Sequence, residues 1–170
     1  GFVKGTNEYA LVGLTGGTGN NAACAIVDIT TATNPVLKFT IPGPNSIWRE
    51  IRTWGDYAYI TTEASDNTFG ITIANLSYLP DSVHLVYDSD SLIIRAHNIF
   101  IDTANAKLYG CAVATPSGFH ALSVYDLSNP VYPELIYNYD EVGHVHDAYV
   151  YNDTAFLNCG NDGLRVIKSH

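Results

Sequence analysis

The 170-residue chain carries 17 acidic against 8 basic residues, a net charge of −9, which argues against nucleic acid and anionic membrane surfaces as partners, because both are held by clustered Lys and Arg. Apolar residues make up 46% of it, enough for a folded core, yet no run approaches the roughly 20 apolar residues that span a bilayer, so no direct membrane insertion is expected. Tyr dominates the aromatics, 12 against 2 Trp, and with 14 Gly and 7 Pro the composition points to an all-β chain rich in turns.

In chain order, residues 8–14 alternate as a strand, the first such run. Residues 16–21 form a Gly-Asn turn cluster. With no following Lys-Ser/Thr and no helix to hold an anion, the cluster reads as a hairpin loop and not a phosphate cradle. Strands follow at 25–30 and 37–41, on either side of Asn34-Pro35-Val36. A second unit runs through 48–50, 57–61, a loop at 63–67, 70–76 and 83–87. A third has 96–101, 107–113, a loop at 116–118, 122–127 and 134–137. The fourth starts at His144, has 155–157 and 163–167, and stops at His170 without a closing strand. The boundaries expected for a single domain are repeats at 1–43, 44–92, 93–142 and 143–170.

One pattern organises these units. Trp48-Arg49-Glu50-Ile51 returns as Ala96-His97-Asn98-Ile99 and as Val145-His146-Asp147-Ala148; Arg49 to His97 is 48 residues and His97 to His146 is 49. Each copy is a polar pair, an apolar residue, a turn and an alternating apolar run. Four strands per unit at this period predict β-propeller blades, about four of them in an incomplete ring whose open edges invite missing blades or a partner chain. Asp28, Asn75 and Asp126, at spacings of 47 and 51, should end the third strand of each blade and bond back to the turn backbone.

The first strand of a propeller blade lines the central channel, so the three polar pairs converge there. Side chains alternate along a strand, and only one member of each pair should face the channel unless the strand end twists. If the first members do, the set is Arg49, His97 and His146, an anion or transition-metal site. His144 lies two residues before His146, on the same face, and completes a His97, His146, His144 metal set; His120 could join from a loop. If the second members do, Glu50, Asn98 and Asp147 offer oxygen ligands that suit calcium. A divalent metal is the cofactor these sets suggest. Against it, a His beside Asp or Asn is often a satisfied polar group bridging blades, and Arg49 would repel a cation. No Gly-x-Ser-x-Gly, His-Glu-x-x-His or Cys-x-x-Cys is present, and nothing pairs Ser46 or Ser123 with a base. Trp48 could stack on a sugar, whereas Trp54 reads as blade packing. Cys24, Cys111 and Cys159 are an odd number, and buried free thiols are expected although Cys111 and Cys159 fall at matching places in successive repeats.

At Val27-Asp28-Ile29-Thr30 before Asn34-Pro35-Val36, and at Tyr125-Asp126-Leu127-Ser128-Asn129-Pro130-Val131, the chain resembles the LVIVD repeat of bacterial surface propellers. With Tyr9-Ala10-Leu11-Val12-Gly13, Trp48-Arg49-Glu50-Ile51, Ala96-His97-Asn98-Ile99 and His146-Asp147-Ala148 it resembles, more closely, the choice-of-anchor B family of secreted proteins. The resemblance implies a secreted, extracellular protein at the bacterial cell surface. It also implies a longer parent whose last blades, part of the first blade and C-terminal anchor lie outside this sequence. The function expected from it is a non-enzymatic recognition or adhesion module with a protein or glycan partner. The alternatives are a metal-dependent propeller enzyme, a hydrolase or lyase using His97, His146 and Glu50, and a carbohydrate-binding propeller.

Overall fold

The computed structural model describes residues 1–16, 21–64 and 70–168. Among them the chain is built of strands, with one 3-10 turn at Gly160–Asp162. The first sheet is β1 (Phe2–Lys4), β2 (Asn7–Gly13), β3 (Ala22–Asp28) and β4 (Val36–Pro42). The second is β5 (Arg49–Trp54), β6 (Tyr57–Thr62), β7 (Ile71–Asn75) and β8 (His84–Ser89). The third is β9 (Arg95–Asp102), β10 (Lys107–Thr115), β11 (Gly118–Asp126) and β12 (Glu134–Tyr139), and the fourth is β13 (Asp147–Tyr151), β14 (Thr154–Asn158) and β15 (Leu164–Lys168). Each is an antiparallel meander in chain order, and no ladder among the described residues joins the fourth sheet to the first. The run at 8–14 is therefore the second strand of its sheet and not the first. The Phe-Val-Lys stretch ahead of the turn at Gly5 is too short to show a period, yet it pairs with β2 through Phe2↔Tyr9. Residues 17–20, within the expected hairpin loop, 65–67 of the expected 63–67 loop, and His170 lie outside the described residues.

The strands read as near-continuous apolar runs because the middle sheets are covered on both faces. Along β6, Ala58 and Ile60 enter a core with Tyr9, Cys24, Ile26 and Ile41 of the first sheet. Tyr59 points the other way, into a core with Ile99, Ile101 and Leu108 of the third sheet. Along β10, Leu108 belongs to that second core and Tyr109 to a third, with Val150, Ala155 and Leu157 of the fourth sheet. Alternation thus persists, but it sorts residues between two cores instead of between core and water. Trp54 packs against the second core, in agreement with its reading as a packing residue. All three cysteines are buried free thiols, and burial pushes Cys24 up to about 11.

The repeat is also written into the backbone. The register shifts at Ile26/Val27, Ile73/Ala74 and Val124/Tyr125, each just ahead of the expected Asx residue, bending the outermost strand at the same place in three sheets. Asp28 then accepts the Thr30 N–H at 2.9 Å, Asn75 that of Ser77 at 2.8 Å and Asp126 that of Ser128 at 2.6 Å, the turn closure expected of them. Hydrogen bonds from Ser128, side chain and backbone, hold the Asp126 carboxyl below the ordinary range. A depressed folded-state pKa contributes stability above the unfolded value of about 4, lost as pH falls through the folded one. Asp126→Asn, which keeps the acceptor, should therefore unfold with a shallower loss of stability between about pH 5 and 3. Thermal melts across that window check this, and parallel curves for both proteins would contradict it.

Among the described residues no further sheet covers the outer face of the fourth sheet, where Phe100 of β9 meets the Tyr149 ring with centroids 5.6 Å apart. Tyr149, Phe156 and Val166 form one row across β13, β14 and β15, flanked by Tyr151 and Leu164, and all five are exposed. For the isolated chain a second copy is the available cover, so self-association should rise with concentration. Phe156→Lys should lower it, as read by sedimentation velocity. A wild type that stays monomeric at high concentration would oppose the idea.

Candidate functional site

Innermost strands β5, β9 and β13 of three successive sheets lie side by side. At one end, five side chains form a hydrogen-bonded chain. Glu63, just past β6, accepts from or faces His97 Nδ1 at 2.7 Å, and His97 Nε2 meets His146 Nε2 at 3.0 Å. His146 Nδ1 lies 2.6 Å from Asp147 Oδ2, and the Asn98 amide donates to the other Asp147 oxygen. Trp48, immediately before β5, lays its ring on His97 with centroids 4.7 Å apart and planes at 9°, and donates its indole N–H to the His97 carbonyl at 2.5 Å. His97 is the anchor, its side chain 14% exposed, while Glu63, His146 and Asp147 are each near 45%.

Two expectations are corrected here. Arg49 does not join the imidazoles: its guanidinium donates to the Leu14 carbonyl at 2.6 Å and to that of Pro44, tying the second sheet to the first. Glu50 pairs with Arg52 on its own strand. Nor does strict alternation select one member of each pair. His97 meets His146 and Asn98 meets Asp147, while His146, one residue ahead of β13 with its N–H on the Asn158 carbonyl, also reaches Asp147 through Nδ1. His120 is turned to Asp140 at 2.8 Å in its own sheet. Ser123 bonds Asn138 and Ser46 the Trp48 carbonyl, so neither is paired with a base.

The His144 ring lies 5.9 Å from that of His97 and 6.1 Å from that of His146. Among the described residues no group of three or more His, Cys, Asp or Glu is arranged to hold a metal ion. The hydrogen bonds give a reason. All four ring nitrogens of His97 and His146 are engaged, with Glu63, with Asp147 and with each other, whereas a cation needs a bare lone pair.

Beside the chain lies a cleft of about 310 Å³ lined by Glu63, Arg95, Ala112, Phe119 and His144. Sequence reasoning missed Glu63, Arg95 and Phe119. Arg95 was findable, two residues before His97 and hence on the same strand face. Nothing local marked Glu63, which the fold brings to His97 across 34 positions. A larger hollow, about 410 Å³, lies at the far ends of β9 and β13. It is lined largely by turn residues, with the Asn105 amide bonded to Asp102 and Asp153, and is remote from the imidazoles.

A family model for the LVIVD repeat matches residues 119–141, the segment spanning β11 and β12. No curated protein matches the chain. Among solved structures, the chain superposes on a proposed 6-phosphogluconolactonase from Bacteroides fragilis with a TM-score of 0.64 at 12% identity, covering 90% of this chain and 45% of that one. It superposes on a protein from Lactobacillus plantarum with a TM-score of 0.59 at 13% identity, covering 96% and 54%. The likeness shows a β-propeller-like fold, and the chain spans about half the length of both.

Proposed function

We propose that this chain is a non-enzymatic recognition module of a bacterial cell-surface propeller, with its ligand face at the end of β5, β9 and β13. The observation that carries the reading is the closed Glu63–His97–His146–Asp147–Asn98 chain, in which both nitrogens of both imidazoles are engaged internally. A general base or a metal ligand needs an available lone pair aimed at substrate. A closed chain instead braces adjacent blades and presents a fixed surface, with Trp48, His144 and the Glu63–Arg95–Phe119 cleft around it. Secretion and surface display rest on the resemblance to the choice-of-anchor B family, and cell fractionation of the source organism tests them.

A second reading is an enzyme acting on a sugar lactone. It is favoured by the name of the Bacteroides fragilis structure and by the arrangement of two imidazoles between two carboxylates, which could pass a proton. Metal analysis and a 6-phosphogluconolactone hydrolysis assay on the purified chain separate the two. Recognition predicts neither stoichiometric metal nor turnover above background, and either result would replace it with the enzyme reading.

A further inference from the structure

The cleft beside the imidazole pair is built by one row of the third sheet. Arg95 pairs with Ala114 and Ala114 with Phe119 in the antiparallel register. Directly paired residues place their side chains on one face, so the Arg95 and Phe119 backbones stand two strand spacings apart, ~9.5 Å, with Ala114 between them and both side chains leaving the same face. Phe119 is 53% exposed, so about half of its surface is open to a ligand. Glu63 and His144 also line the cleft.

The backbone under this row is strained. Ala112 falls opposite His97 in the register but drops out of the ladder on both sides, with φ at +49° in the middle of a central strand. A non-glycine residue in that conformation is strained and persists where the surroundings hold it, often beside a ligand. It lines the same cleft.

We propose that this cleft binds a sugar carrying one carboxylate, a hexuronate unit, with the carboxylate on the Arg95 fork and a C–H face of the pyranose against Phe119. The hydroxyl groups face Glu63, an acceptor, and His144, a donor or acceptor. The chemistry follows from the lining. Guanidinium matches a planar carboxylate through two parallel hydrogen bonds. Among the described residues the lining offers one exposed ring and no large aliphatic side chain, which suits a ligand with a single apolar face. The volume, at the low end for ligand sites, suits one sugar unit. The chain's net charge of −9 disfavours a polyanion. This rests on the recognition reading and adds the ligand class.

Calorimetric titration of the whole chain with glucuronate, glucose and acetate tests it. Glucuronate should bind, and glucose and acetate about tenfold more weakly or worse. Arg95→Gln should bring glucuronate down to the level of glucose, and Phe119→Ala should weaken both sugars. Both side chains are exposed, so thermal midpoints should hold, certifying the fold. Equal binding of glucose and glucuronate, equal binding of acetate and glucuronate, an affinity indifferent to Arg95→Gln, or no heat at millimolar ligand would each overturn the assignment. Those outcomes leave recognition itself standing, since that reading falls instead on stoichiometric metal or lactone turnover.

Discussion

Gly70→Ala is expected to destabilise the chain by about 3–5 kcal/mol, more than any surface change. Gly70 has φ at +60° and lies just ahead of β7, bridged to Ser89. A Cβ built there would sit 2.1 Å from the Ser89 carbonyl oxygen, 2.3 Å from that of Ile93 and 2.6 Å from the Asp90 Cα. All three are backbone atoms, which cannot swing aside as a side chain would. Relief therefore has to move the segment leading into β9, including Ile93, whose fully buried side chain belongs to the core between the second and third sheets. Backbone strain accounts for about 1 kcal/mol of the effect and the displaced core for the rest. Gly55 supplies the control: its φ is +56°, but nothing lies within 4 Å of the added Cβ. Gly55→Ala should then cost only about 1 kcal/mol. Urea unfolding of both variants checks the difference, and equal losses would show that the close approach at Gly70 is not what matters.

The second large effect is coupling across the imidazole pair. His97→Ala strips the Trp48 ring of its stacking partner and leaves Glu63 and His146 facing a gap, while His146→Ala opens the same chain from the other side. Each single change should cost about 1–3 kcal/mol, and the double change less than their sum by about 1–2 kcal/mol, the signature of two residues in one hydrogen-bonded unit. Additive losses would mean that the 3.0 Å contact contributes nothing. The same variants weigh brace against site. Retained stability with lost glucuronate binding assigns the pair to ligand positioning, whereas a large loss of stability with binding intact in the folded fraction makes it a structural brace between blades.

Much of this architecture was legible in the sequence because it is local and periodic. Strands β6, β10 and β14 announce themselves through apolar runs that follow a polar pair and a turn, and Asp28, Asn75 and Asp126 mark the ends of third strands because a short side chain must close the turn two residues on. A spacing of 48 and 49 residues was enough to place His97 beside His146, since equivalent residues of consecutive blades fall at equivalent places. The same spacing misplaced Arg49. Periodicity locates a Cα in a blade, but it does not say where a long flexible side chain finds its acceptors, and two backbone carbonyls near the first sheet held this one.

What the tertiary structure alone decided is the composition of the site. Glu63 reaches His97 from the preceding sheet, and Arg95 and Phe119 come into one row only through the pairing of β9, β10 and β11. These are long-range juxtapositions with no local period, so no pattern along the chain could carry them. The choice between metal centre and hydrogen-bonded chain was likewise closed to composition, because His, Asp and Glu serve both. Both depend on where four ring nitrogens point, and here these meet Glu63, Asp147 and each other while the His97 ring lies against Trp48.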